Sequence, residues 1–412
     1  MNICLNMQPV KGEMFESKLN IYTATSLKEI EKLRLFWTAH NQHPESDIDF
    51  IVMLASVRSE IIRPHIIVAA VNDQPVAILV GRLEITQLRP RIGYFKLPTM
   101  PVNQFVFVGG GVLGDGSEQV SRAMIQEIQK TLRDGVADRA LISHFSVGNY
   151  LNRLVKAEFS PWCRGIAQPA VQHWKTNLPE NFDAFLSERP KKHRYWLRRI
   201  GKVFESEFDC KVKYTVYTSP EDVPLFCKAA ESVAQNTYQR GLDVGFVDNK
   251  ENRQRLALSA SHGSFRSYVV FVSDRPLAFW CGEHLGGRFY LTWTGFNCEY
   301  RKYEIGTILY LKMVRDLLSC GIKEIDYGMG WAQYKERFGD ICLHNQDVII
   351  YATRPKAIVL NQVITIAELI NRFGNYFLST IKIREKIKKL WRIGLAGCDR
   401  PMVWQARSQN EL

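Results

Sequence analysis

Two stretches of the chain share one hydrophobic pattern. Residues 65–84, HIIVAAVNDQPVAILVGRLE, and residues 266–285, RSYVVFVSDRPLAFWCGEHL, each place two apolar runs around a short polar centre. Val71-Asn-Asp-Gln-Pro-Val-Ala77 in the first is answered by Val272-Ser-Asp-Arg-Pro-Leu-Ala278 in the second. Each reads as a β-hairpin, the first turning at Asn72-Asp73-Gln74-Pro75. A Gly-containing loop, a helix, a glycine and a strand follow each hairpin. In the first half these are Gly109–Ser117, Gln119–Arg133, Gly135 and Arg139–Phe145. In the second, a strand at Tyr290–Thr294 leads into a polar loop ending at Gly306 and Thr307. The next helix carries Ile308, Leu309, Leu311, Met313, Val314, Leu317 and Leu318 at three- and four-residue spacing. Gly321 stops it, and Ile322–Tyr327 alternates as a strand. Upstream, Ser26 and Glu29 form a capping box for the helix SLKEIEKLRLFW, and a further helix is expected at Asp47–Arg58.

The repeat predicts an α/β chain with a mixed sheet, built as two copies of one unit. The expected division is residues 1–178, 179–353 and a basic helical tail, 354–412. At 412 residues the length also favours two domains.

Composition narrows the class. With 46% hydrophobic and 23% charged residues the chain is globular. A net charge of +12 suits an anionic partner: coenzyme A, a nucleotide sugar, tRNA or an anionic membrane. Nine scattered cysteines, with no Cys-x-x-Cys pair, suggest neither a zinc site nor a disulfide framework, and a reducing cytoplasm is the expected home. No signal peptide and no membrane span is expected from the apolar runs.

Candidate chemistry concentrates between Trp293 and Asp340. A strand-to-helix turn with Gly306 at the helix entrance directs backbone N–H groups and the positive helix end at the loop, as an anion site requires. Arg301-x-x-Glu304-x-Gly306 resembles the Arg/Gln-x-x-Gly-x-Gly/Ala loop with which GNAT acyltransferases cradle the pyrophosphate of coenzyme A, with Glu304 replacing the first glycine. Tyr300, Lys302, Gly306, Asp326-Tyr-Gly328 and Tyr334-Lys335-x-x-Phe338-Gly339-Asp340 resemble the branch associated with cellulose or exopolysaccharide biosynthesis. The resemblance covers residues 180–350 well and the first half weakly. It implies tandem GNAT-like units with the working site in the second, and an acyl group moved from acetyl-coenzyme A or another acyl-coenzyme A to an amine or hydroxyl. The acceptor it implies is a sugar, nucleotide sugar or polysaccharide precursor.

The resemblance also assigns residues. Arg301, Lys302, Gly306 and Thr307 would hold the coenzyme, and Tyr334 would be the acid that protonates the leaving thiolate, its alternative being simple packing beside Phe338. Asp326 would orient the acceptor or act as base once burial raises its pKa, or else cap the Gly328–Gly330 turn. Glu283, an ionisable group in an apolar run, is a second base candidate. Tyr238 and Arg240, with Trp293 and Lys335, are candidate acceptor contacts. Lys335 suits an anionic acceptor or the coenzyme phosphates. A carboxylate at Glu304 would repel phosphate unless it pointed to solvent or paired with Arg301 or Lys302. No metal is called for.

Three segments stay open. The loop Gly109–Gly116 lacks the Lys-Ser/Thr of a phosphate loop and carries Asp115 and Glu118, so it reads as a structural turn. Ser187–Glu205 reads as an amphipathic helix with Trp196, Ile200, Val203 and Phe204 on its buried stripe, its cations solvated or facing a substrate or nucleic acid. No DNA partner is expected. A Fem-type enzyme using aminoacyl-tRNA is the rival reading, although it calls for a long helical arm where only one short basic helix is visible. A non-catalytic scaffold is the third. The tail LSTIKIREKIKKLWRIGL, Leu378–Leu395, reads either as a helix on an anionic membrane or as one packed on its own domain.

Overall fold

The computed structural model describes residues 19–380 except 94, 147–149, 209–210, 238–239 and 241–244. The chain begins with β1 (Leu19–Ala24), α1 (Leu27–Glu31), α2 (Arg34–His40), α3 (Ile48–Val57) and β2 (Ile61–Pro64). Ser26 and Glu29 make the reciprocal capping box, but the expected single helix breaks after Glu31 and restarts at Arg34. Asp47 caps α3 through the N–H groups of Asp49 and Phe50.

The repeated pattern becomes two matching hairpins. β3 (Ile66–Val71) and β4 (Gln74–Leu88) turn at Asn72-Asp73, and β11 (Phe265–Val272) and β12 (Arg275–Leu285) turn at Ser273-Asp274. All four turn residues have positive φ, between 47° and 63°. That is the two-residue turn whose twist matches that of the strands, so the first turn is tighter than the four residues expected.

Between the hairpins lie the two-residue strands β5 (Arg91–Ile92) and β6 (Phe95–Lys96), then β7 (Met100–Gly114), α4 (Glu118–Arg133), β8 (Arg139–Ser146), α5 (Tyr150–Glu158) and β9 (Val171–Asn177). The glycines expected in a loop, Gly109 to Gly114, belong instead to β7, which bulges against β4 between Phe107 and Val112. Next come α6 (Phe182–Ser187), α7 (Lys191–Glu207), β10 (Val212–Tyr217), α8 (Asp222–Ala234) and α9 (Lys250–Ser261). β13 (Arg288–Phe296), α10 (Ile305–Ser319), β14 (Glu324–Met329), α11 (Gln333–Phe338), β15 (Ile341–Tyr351) and α12 (Pro355–Thr380) complete the described chain.

Among the described residues, thirteen strands form one mixed sheet in the order β1-β3-β4-β7-β8-β15-β9-β14-β13-β12-β11-β10, with β2 beside β4. The halves exchange strands at its centre. β9, from the first half, pairs with β14, and β15, from the end of the second, lies between β8 and β9. Every side chain alternates across this sheet, so each half has two apolar layers. In the second half Trp280, Phe289, Ile325 and Tyr327 meet α10 on one face, while Phe279 and Cys281 meet α8 on the other. α7 packs on the α10 side through Leu197 and Phe204. Val203 is 45% exposed, so the buried stripe of α7 runs through Leu197 rather than Val203.

Candidate active site

β13 and β14 are parallel and paired over only three rungs: Arg288 with Glu324, Phe289 with Ile325 and Tyr290 with Asp326. Beyond the last rung they part. The gap is a cleft of about 210 Å³ lined by Leu291, Thr292, Trp293 and Thr294 on one strand and Tyr327, Gly328 and Met329 on the other, with Tyr334 and Lys335 at its end. Two irregularities open it. Thr292 is the extra residue of a bulge in β13, since Cys281 pairs with Trp293 and Gly282 with Leu291. The close approach there requires glycine, because a Cβ on Gly282 would lie 2.3 Å from the Tyr290 carbonyl oxygen. On β14 the register jumps between Asp326 and Met329.

The floor on the α10 side is rigid. The Tyr310 and Tyr327 hydroxyls lie 2.6 Å apart, Tyr327 donates to Thr176 Oγ1 at 3.0 Å, and Thr176 donates to the Phe338 carbonyl at 2.5 Å. Tyr334 packs edge-on against Trp280 at 5.0 Å, and the Trp280 indole donates to the Gly306 carbonyl at 3.0 Å. The expected acid is thereby tied to the entrance of α10.

No side chain caps the N-terminus of α10. A Cβ on Gly306 would find only Phe296, at 3.9 Å, so the first turn is open to a ligand. Glu304 takes a left-handed backbone conformation, φ 55°, the conformation that the glycine it replaces would adopt freely. Its carboxylate stays beside the helix entrance, accepting from Thr307 Oγ1 at 3.1 Å and from Arg337 at 3.2 Å. Arg337 of α11 forms an ion pair with it. The Lys302 ammonium is exposed and sits over the Tyr303 ring, 4.6 Å from its centre. Arg301 and Lys302 lie on the short 3-10 turn Cys298–Tyr303 just before the helix. The open turn with flanking cations fits a phosphate-bearing ligand.

The corresponding place in the first half is built differently. Ser117 caps α4 through Val120 N–H, and Asp115 accepts from Ser117. A Cβ on Gly109 would lie 2.9 Å from that of His144, so β7 and β8 stay in contact where β13 and β14 part.

At the last rung before the strands part, the surroundings are polar. Asp326, 4% exposed, accepts from His173 at 2.6 Å and from Gly328 N–H at 2.8 Å, with Lys175 at 3.4 Å. Burial alone would raise its pKa, but the bond from His173, the imidazole's charge, the Gly328 amide and Lys175 together hold the carboxyl below its ordinary value. That reverses the expected shift, and the turn-capping alternative is realised in the Gly328 bond. His173 also meets Asn345, its Nδ1 3.2 Å from Asn345 Nδ2, while Nε2 faces Asp326. Asn345 Oδ1 is buried without a partner.

Lys335 is buried, and its ammonium donates to the carbonyls of Met329 at 2.6 Å and Gly328 at 3.2 Å. Desolvation pushes its pKa down to about 8. It braces the end of β14 and lines the cleft, and it is not a solvated surface cation. Glu283 is not brought into the cleft. It accepts from Arg255 and Ser259, both at 3.0 Å, and lines a separate cavity of about 290 Å³ at the seam between the halves. Arg240 is held by Glu231 at 2.5 Å, and Trp293 packs on Phe246. Tyr238 lies outside the described residues.

Sequence reasoning missed His173, His43 and Asn345. His173 sits in the polar strand VQHWKTN of the first half, and only the strand exchange carries it to Asp326. From the first half also comes His43, stacked edge-on against Tyr290 at 4.8 Å, while the Tyr290 hydroxyl donates to the Gln42 carbonyl. Burial lowers the His43 pKa.

Residues 191–336, which hold the parted strands, the open helix entrance and Tyr334, match the model of the acetyltransferase (GNAT) domain. The chain carries a GNAT acyltransferase domain. No curated protein matches it in sequence. Among solved structures, FemX is similar in fold at 11% identity, with a TM-score of 0.56, covering 82% of this chain and 100% of that one. L-PGS from Bacillus licheniformis gives 13% identity and a TM-score of 0.48, over 83% of this chain and 96% of that one. A tandem GNAT protein from the clavulanic acid biosynthesis pathway gives 10% and 0.46, over 82% and 99%. At these identities the likeness is one of fold. The GNAT domain is thus set in a mixed α/β chain whose first half supplies His173, the hydrogen-bond partner of Asp326.

Proposed function

We propose that the enzyme transfers an acyl group from acyl-coenzyme A to an amine or hydroxyl of a saccharide, nucleotide sugar or polysaccharide precursor. The carrying observation is the parting of β13 and β14 beyond Tyr290–Asp326, with an open helix N-terminus on one side and a buried Asp326–His173 pair on the other. In this reading Gly306, Thr307, Arg301 and Lys302 hold the coenzyme phosphates, and the thioester enters the cleft along Thr292 and Trp293.

The acceptor attacks the thioester carbonyl from the Asp326 side and loses its proton, and the carbon–sulfur bond breaks as the acyl bond forms. The Asp326 carboxylate, held in place by His173, takes the proton. Tyr334 protonates the departing thiolate. Trp293 is the proposed acceptor contact, and Lys335 acts by holding the loop at Met329. The sugar-type acceptor and a cytoplasmic setting rest on the family resemblance and the scattered cysteines.

The test is isothermal titration with acetyl-coenzyme A and coenzyme A against wild type and Gly306→Trp. Micromolar binding abolished by the substitution supports the reading, and no binding at millimolar ligand overturns it. The exposed cations on α7 favour one rival, an aminoacyl-tRNA donor. A tRNA gel shift that weakens steeply with salt would favour it. Between β9 and β10 the described residues hold only α6 and α7, not a long paired arm.

A further inference from the structure

α12 turns an apolar stripe away from the protein. Val359, Ile366, Leu369, Ile370, Phe373 and Tyr376 are all exposed, Phe373 by 74% and Tyr376 by 73%. Their spacing of three, four and seven keeps them on one side of the helix.

The rotation that exposes them is fixed. Ala357, Leu360 and Ala367 are buried on the other side. Asn361 donates to the carbonyls of Trp162 and Arg164 at 2.8 and 3.0 Å. Asn371 donates to the Arg91 carbonyl at 2.6 Å and accepts from Gly93 N–H at 2.7 Å, and Arg372 donates to the Ala167 carbonyl at 2.6 Å. These polar contacts fall on the side facing the body, so the stripe cannot roll inward without breaking them. Of the 26 residues of α12 only Lys356, Glu368 and Arg372 are charged. An isolated exposed leucine needs no explanation, but a continuous stripe of six large side chains does.

Charge identifies the occupant. Residues 354–412 hold eleven Lys and Arg against four Asp and Glu, a net +7 of the chain's +12. Six of those cations, Lys382, Arg384, Lys386, Lys388, Lys389 and Arg392, follow directly on α12. A second copy docked through the stripe would bring two such segments together, and like charges oppose that contact. No helix among the described residues is long and apolar enough to cross a membrane. We infer that α12 lies flat on an anionic lipid surface with its stripe in the acyl boundary, the positive charge of the sequence that follows favouring anionic headgroups. The surface would hold the enzyme beside membrane-borne material without spanning the bilayer.

The test is co-sedimentation of the full-length chain with vesicles of phosphatidylcholine alone and of equal parts phosphatidylcholine and phosphatidylglycerol. Binding is expected to the mixed vesicles only. It should weaken as ionic strength rises from about 0.1 M to about 1 M, where the screening length falls from about 10 Å to about 3 Å. The double substitution Ile370→Ser/Phe373→Ser should weaken it about tenfold or more, given the apolar carbon removed from the lipid boundary. Leu35→Ser, which alters an exposed leucine on α2, should leave it unchanged. Charge reversal of Lys386, Lys388 and Lys389 to Glu should release the protein. Wild type remaining in the supernatant, or binding neutral vesicles equally, overturns the inference. So does a dimer in solution that the double substitution dissolves, because a second copy would then be what covers the stripe.

Discussion

Asp326 and His173 stand 153 positions apart in the chain and share a 2.6 Å hydrogen bond. One belongs to the GNAT domain and the other to the last strand of the first half, so the polar pair next to the cleft is a joint product of both halves. Asp326→Asn and His173→Ala should each lower kcat by about a hundredfold or more, the scale of lost proton transfer. Titration with coenzyme A should show its affinity unchanged. Loss of coenzyme binding in either variant would mean that the pair shapes the cleft instead of moving a proton.

The same carboxylate makes a pH prediction. Its folded pKa lies below the unfolded value, so its contribution to stability is full above the unfolded pKa and disappears as pH falls through the folded one. Thermal melts taken from neutral to acid pH should show a shallower acid limb in Asp326→Asn than in wild type.

Lys335 acts in the other direction. Its pKa falls from the ordinary 10.5 to about 8, so between those values the unfolded chain binds more protons than the folded one. Stability from this group therefore rises with pH from about 8 and levels off near 10.5. Denaturant melts across that window should show the rise in wild type and lose it in Lys335→Met. A matching rise in the variant would assign it to another group.

Glu304→Gly restores the residue that a left-handed conformation favours and removes the bond to Arg337. Strain relief of about 1 kcal/mol is set against a half-exposed ion pair worth about as much or less, so stability should change by about 1 kcal/mol at most. Coenzyme A should bind more tightly once the carboxylate beside the helix entrance is gone. Weaker binding would show that Glu304 helps to build the site by holding Arg337.

Gly282→Ala would force a Cβ to within 2.3 Å of the Tyr290 carbonyl. Overpacking of this kind costs about 1–3 kcal/mol, and relief requires the bulge at Thr292 to shift. The expected outcome is a lower melting temperature together with weaker acyl-donor binding, read by calorimetry and titration.

Local features of the fold were legible in sequence. The paired hairpins, the capping box at Ser26 and α10 with its glycine stop each carry a pattern within a few residues. Asn72-Asp73 and Ser273-Asp274 even share the left-handed turn. The strand exchange has no such signal. Nothing in VQHWKTN or ICLHNQDVIIY says that each strand will pair across the half boundary, because that choice is made by surfaces formed far away in the chain. His173 was hidden for the same reason. Glu283 falls outside the cleft because a glutamate looks alike in sequence whether it meets solvent or an arginine. The glycines of β7 were taken for a loop, since glycine marks a bulged strand as readily as a turn.

The place of β15 between β8 and β9 also sets the order in which the protein can be made. β8 ends at Ser146 and its neighbour begins at Ile341. At about 5–20 residues per second, β8 waits roughly 10–40 seconds on the ribosome before its partner exists. Throughout that time the nascent first half presents an open strand edge, the feature that invites pairing with another chain. A gene fragment ending near residue 178 freezes the molecule in that unfinished state, whereas synthesis through Tyr351 closes the edge with β15.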